Sequence, residues 1–142
     1  RSVSVFEVTV RIVGGLLAAH ALDGDQVFVD KARAVADALM PAFNTPTGIP
    51  APKMNLVSRK ASGGSESVGI AEVGSLQLEF RYLSKVTGEG KYGEAADRAF
   101  GALLKNQRPD GLMNTQVAPV SGRPGASEVS IGASGDSYYE YL

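Results

Sequence analysis

Glu7, Glu72 and Asp136 stand 65 and 64 residues apart along a chain of 142. Such an interval is too long for one helix and fits two helices and a connection. A chain that repeats as helical hairpins therefore sets three carboxyls at the same end of three equivalent helices. Grouped carboxylates cost stability in a packed fold, and they occur where a protein moves protons or binds polar ligands. Hydrolysis of a sugar linkage is one good use for such a ring.

The repeat is legible residue by residue. A shift of 64 superposes Gly24 on Gly88, Asp25 on Glu89, Phe28 on Tyr92, Ala32 on Ala96 and Leu39 on Leu103. Glycine ends one helix in the left-handed conformation, an acidic residue follows, and an aromatic opens the next helix. Self-similarity at a fixed period marks repeat or closed toroidal architectures. Two copies and the start of a third are present.

Apolar residues at helical spacing predict helices over roughly 4–21, 26–43, 71–86 and 91–106, and a fifth beginning near Asp136. The first, third and fifth form one layer, and the second and fourth the other. Pro46 and Pro50 break the second helix. Residues 51–69, rich in Ser and Gly at Ser62-Gly63-Gly64-Ser65, predict a long loop, and 111–131 a small β-hairpin around Ser121-Gly122. The fold class expected is all-α with that hairpin. Net charge is −1, which gives no electrostatic case for nucleic acid or an anionic membrane. No apolar run is expected to reach the roughly 20 residues that span a bilayer. The chain opens at the edge of one helix and stops within another, so 1–142 reads as part of one larger domain.

Each candidate has a plainer role. Ser4-Val5-Phe6-Glu7 fits a capping box, in which Glu7 only satisfies a backbone donor. Arg11, four residues on, makes an ordinary ion pair or fixes the Glu7 carboxyl and donates to substrate hydroxyls. Asp136 suits a helix N-cap or a carboxylate that must stay charged. Glu72 favours a helix start. Glu79 reads as an interhelical salt-bridge partner, His20 as structural, and Tyr138, Tyr139 and Tyr141 as core. No zinc spacing, phosphate loop or nucleophile elbow occurs. An α-helical scaffold that binds protein remains open; it predicts exposed apolar ridges and no convergent carboxyls.

The blocks that carry the repeat also carry a resemblance. Val5-Phe6-Glu7-Val8-Thr9-Val10-Arg11-Ile12-Val13-Gly14-Gly15-Leu16-Leu17 resembles a signature of the class I α-1,2-mannosidases, glycoside hydrolase family 47. So do Ala42-Phe43-Asn44-Thr45-Pro46-Thr47-Gly48-Ile49-Pro50, Ala71-Glu72-Val73-Gly74-Ser75-Leu76-Gln77-Leu78-Glu79-Phe80-Arg81, and Gly135-Asp136-Ser137-Tyr138-Tyr139-Glu140-Tyr141-Leu142. The order is kept over nearly the whole chain.

The resemblance implies an (α/α)7 barrel, a toroid of helical hairpins. Seven hairpins need roughly 450 residues, so about the first third is present. It implies an inverting, calcium-dependent hydrolase that removes terminal α-1,2-linked mannose from high-mannose N-glycans. It implies a monomer in the secretory pathway, endoplasmic reticulum or Golgi, or a secreted one, with any membrane anchor outside these residues. Glu7 matches the general acid, acting through a water, and Asp136 a second catalytic carboxylate. Arg11 and Glu72 match residues that hold the sugar. The third carboxylate and the calcium-binding threonine fall beyond Leu142, so no metal ligand is expected here. Ser134 stands where members that stop after one mannose resemble an arginine, which implies broader trimming. A non-catalytic, lectin-like relative on the same fold keeps many of these carboxyls and stands as the alternative.

Overall fold

The computed structural model describes residues 2–64, 66–125 and 128–142. Ser65 of the predicted loop and 126–127 of the predicted hairpin lie outside the described residues. The chain begins with strand β1 (Ser2–Ser4) and a continuous rod: α1 (Val5–Val8), a π-helical turn over Thr9–Val13, and α2 (Gly14–Asp23). Helix α3 (Gln26–Leu39) follows, then a 3-10 turn at Met40–Phe43. Strands β2 (Lys53–Asn55), β3 (Lys60–Ser62) and β4 (Val68–Gly69) precede α4 (Ile70–Val73) and α5 (Gln77–Thr87). Helix α6 (Lys91–Leu104), β5 (Gln116–Val117) and α7 (Asp136–Glu140) complete it.

The predicted repeat is present as two antiparallel helix pairs, α2 with α3 and α5 with α6. Gly24 (φ 83°) and Gly88 (φ 73°) end α2 and α5 in the left-handed conformation. Open space surrounds both positions, so backbone conformation rather than crowding calls for glycine. The copies then diverge. Asp25 caps α3 by accepting from the Val27 N–H at 2.8 Å. Glu89 caps nothing; it pairs with Lys91 at 2.8 Å and Arg33 at 3.4 Å, tying the second hairpin to the first.

The core lies between the helix layers. Phe43, Phe80 and Tyr92 stack edge-on, with ring centroids 5.4 and 6.2 Å apart, and all three are buried. The Tyr92 hydroxyl donates to Asp37 at 2.9 Å, so its polar end is satisfied.

Four expectations need correction. The predicted loop over 51–69 holds three strands: β2 pairs antiparallel with β1 and β3, and β4 pairs with β5. The predicted hairpin over 111–131 is a looser ladder, bridged at Asn114–Val129 and Val117–Pro124, whose strand β5 joins β4. The chain is mostly helical, as expected, and its β-structure forms two small sheets. The single helix over 71–86 is two, because Gly74 and Ser75 interrupt it between α4 and α5. Finally, the rod Val5–Asp23 has 19 residues and mean hydropathy 1.6, long and apolar enough to cross a bilayer by length and composition. In this fold Val5, Val13 and Leu17 of the rod pack in the core.

Candidate active site

Each of the three spaced carboxyls falls in the first turn of its helix: Glu7 in α1, Glu72 in α4 and Asp136 in α7. Ser4 caps α1 by accepting from the Glu7 N–H at 3.2 Å. That is half of a capping box. The Glu7 carboxylate does not complete it; it accepts from the Arg11 guanidinium instead. Arg11 rides on the π-helical turn, where the Gly14 N–H reaches back five residues to the Thr9 carbonyl. The Thr9 hydroxyl donates to the Val5 carbonyl at 2.8 Å and is fully buried, which fixes the start of that turn. Such wide turns concentrate at functional sites because they re-aim one side chain without ending the helix.

Glu72 is tied to the same place by electrostatics. Burial pushes its carboxyl above the usual range, and the negative charge of Glu7 adds to the shift. The short helix that carries it is capped from afar. The Ile70 N–H donates to the Thr115 carbonyl and the Ala71 N–H to the Ser134 carbonyl, each at 3.0 Å. Two of the donors that a helix start leaves free are thereby satisfied by distant backbone. Ser134 is left-handed at φ 69°, a conformation that non-glycine residues rarely adopt. Its backbone thus serves the site, while its side chain is exposed.

Helix α7, which carries Asp136, packs against α4. Tyr138, fully buried, presses on Gly74, where a Cβ would come within 2.8 Å of the tyrosine ring. The N-cap of α7 is Gly135 rather than Asp136. Asp136 is exposed and accepts only from the neighbouring Ser137 N–H, at 3.0 Å. The aromatic residues around it are structural, as expected: Tyr138 packs on Phe100 and Tyr139, and the Tyr139 hydroxyl accepts from the Met113 N–H.

One group departs from its expected role. Glu79 makes no ion pair among the described residues. It is 9 % exposed, its Oε2 has no partner, and it fills the space above Gly14, where a Cβ would lie 3.2 Å from its Cγ. The signal was available: glycine at 14 lies seven residues after Glu7, as Glu79 lies seven after Glu72. His20, in the last turn of α2, leaves Nδ1 buried without a partner. Among the described residues no three acidic or histidine side chains group to hold a metal ion.

Burial raises the Glu79 carboxyl above its ordinary value. The folded chain keeps a proton that the unfolded chain releases earlier, so stability falls as pH rises from the ordinary glutamate value through the raised one. Glu79→Gln removes that loss. Urea midpoints of variant and wild type are expected to coincide near pH 4, with the variant higher at pH 8. An offset of equal size at both values would contradict a buried, raised Glu79.

Comparison with known proteins agrees with this geometry. The family model for glycosyl hydrolase family 47 matches residues 1–142. The chain is 47 % identical to the mannosyl-oligosaccharide 1,2-alpha-mannosidase IB of Homo sapiens, over 99 % of this chain and 22 % of that protein. It is 42 % identical to the endoplasmic reticulum mannosyl-oligosaccharide 1,2-alpha-mannosidase of Schizosaccharomyces pombe, over 99 % of this chain and 28 % of that one. The α-1,2-mannosidase from Trichoderma reesei superposes with a TM-score of 0.89 at 34 % identity, covering 99 % of this chain and 32 % of that structure. The chain spans about a quarter of the length of the curated relatives it matches. Its helix pairs are a portion of that α/α barrel, and the chain belongs to glycosyl hydrolase family 47.

Proposed function

We propose that the protein bearing this chain hydrolyses terminal α-1,2-linked mannose from high-mannose N-glycans, with inversion, in the secretory pathway. What supports it is the first-turn placement of the three spaced carboxyls, with the charge of Glu7 reaching Glu72 and α7, which carries Asp136, packed on α4 through Tyr138. Glu7 acts as the general acid, passing a proton through a water to the leaving oxygen. Its bond to Arg11 orients the carboxyl toward the sugar. Asp136 is the second catalytic carboxylate. Arg11 and Glu72 hold the terminal mannose through hydrogen bonds to its hydroxyls. Ser134 offers no bidentate contact to a neighbouring branch, which supports removal of several mannoses rather than one.

Calcium, as the resemblance implies, would supply oxygen-rich binding of vicinal sugar hydroxyls. Its protein ligand is expected outside these residues, among which no three acidic or histidine side chains group to hold a metal ion, and no step here runs through it. The protein is proposed to act as a monomer on glycoproteins.

The test is incubation of the full-length protein with a high-mannose glycan. Free mannose should appear, with the β-anomer first by proton NMR, since inversion of an α-linkage yields β. Initial release of the α-anomer would overturn inversion. Glycan binding without release would leave the lectin-like reading.

A further inference from the structure

The hairpin of β2 and β3 carries Arg59-Lys60, the one place in the chain where two basic residues adjoin. The strands pair from Lys53–Ser62 to Asn55–Lys60, so the basic pair closes the turn. We propose that Arg59-Lys60 is a processing site for a serine endoprotease that cuts after paired basic residues, and that the two pieces stay together as one folded unit. Water adds across the Lys60–Ala61 amide, leaving a carboxylate on Lys60 and a free amine on Ala61. The encounter with such a protease rests on the secretory-pathway reading; the site itself does not.

Three observations carry it. The first is presentation. Residues 57–62 are all exposed, and Val57 keeps 88 % of its surface. Local bonds hold the turn. The Asn55 side-chain carbonyl accepts from the Val57 and Ser58 N–H groups, each at 3.0 Å, and Arg59 is left-handed at φ 54°. Exposed tips of this kind are where proteases nick folded chains.

The second is ease of opening. A protease takes its substrate as an extended strand, so the hairpin must part before it is cut. Strand β3 has three residues, all exposed, and it lies at the edge of the order β1-β2-β3 with β2 as its neighbour. Parting it uncovers none of the core.

The third is the shielding of the other described basic residues. Most lie inside helical segments. Lys53 lies on the central strand β2, with partners on both sides. Lys105 is the C-cap of α6. Arg108 and Arg123 lie outside the helices, but Pro109 and Pro124 follow them. Proline has no N–H and its ring crowds the residue before it, so those two bonds resist a serine protease.

Packing across the cut keeps the pieces joined. Phe43 stacks on Phe80 with centroids 5.4 Å apart, the Tyr92 hydroxyl donates to Asp37 at 2.9 Å, and Lys91 pairs with Asp37 at 2.7 Å. The buried core draws on both sides, with Leu39 and Ile49 before the cut and Leu83 and Leu103 after it.

The test treats the full-length protein with a subtilisin-like protease specific for paired basic residues and, separately, with limiting trypsin. Within residues 1–142 the first new N-terminus should be Ala61 with the former, and Lys60 or Ala61 with trypsin. The pieces should co-elute in native gel filtration and separate in denaturant. Arg59→Gln should slow the paired-basic protease at least about tenfold, the loss of one charge-assisted contact, and change trypsin cleavage after Lys60 by less than about threefold. Melting curves matching wild type certify the fold of the variant. A first cut elsewhere in 1–142 overturns the site, as does a tip that trypsin cuts and the paired-basic protease leaves intact. Equal effects of Arg59→Gln on both proteases overturn recognition of the pair, and pieces that part in native buffer overturn the single folded unit. None of these readouts uses mannose release, so failure of the glycosidase reading leaves the test intact.

Discussion

In the full-length protein, Glu7→Gln is expected to lower kcat for mannose release by about 10² to 10⁴-fold, with KM little changed. The substitution keeps the length and shape of the side chain. The amide oxygen still accepts from Arg11, and the Ser4 cap on α1 is made by backbone at residue 7 and is untouched. What is lost is the transferable proton. An interaction made only as the linkage breaks appears in kcat rather than in KM. The raised carboxyl of Glu72 lies close enough to feel the charge of Glu7, so the variant should also shift the acidic limb of the pH–rate profile downward as that charge disappears. Initial rates on a high-mannose oligosaccharide between pH 4 and 8 measure both effects. A variant within about threefold of wild type across that range would remove Glu7 from the role of acid.

Gly74→Ala should produce a large loss of stability from a single methyl group. A Cβ at 74 would sit 2.8 Å from the Ile70 carbonyl oxygen and 2.8 Å from the Tyr138 ring. Backbone is on one side, and a fully buried aromatic on the other, so neither neighbour can yield cheaply. Overpacking of this kind costs about 1–3 kcal/mol. The displaced element is α7, which carries Asp136, so activity should fall together with the melting temperature. Gly101→Ala is the matched control. It lies within α6 with open space around it, and alanine there should stabilise by about 0.5–1 kcal/mol through helix propensity. Thermal unfolding of both variants, with the rate of mannose release, checks the contrast. Equal behaviour of the two would mean that α4 and α7 do not pack through Gly74.

Periodicity revealed what periodicity can carry. The helix pairs and their glycine-ended connection follow from local propensity and one apolar stripe per helix. The placement of Glu7, Glu72 and Asp136 in first turns follows from spacing alone. What stayed hidden depends on partners far away in sequence. Strands β2 and β4 are three and two residues long, too short for an alternation pattern, and β4 exists because β5 lies beside it. The break at Gly74 reads as one weak position inside a helix until Tyr138 is seen to require the space. Glu79 was legible as a charge but not as a buried one. An ion pair is the ordinary fate of a helical glutamate, and only the facing glycine shows that this one is enclosed. The role of Ser134 lay in its backbone, which its residue type does not announce.

The caps on α4 have a kinetic consequence. The helix hairpins join close neighbours along the chain and can assemble early, since little loop entropy is lost. The two small sheets join Ser4 to Lys53 and Val68 to Val117, and α4 borrows carbonyls from Thr115 and Ser134. Those long-range closures must wait for the hairpins to supply a surface. The rods are thus expected to form before α4, with Glu72 in its first turn, is fixed by its distant backbone partners.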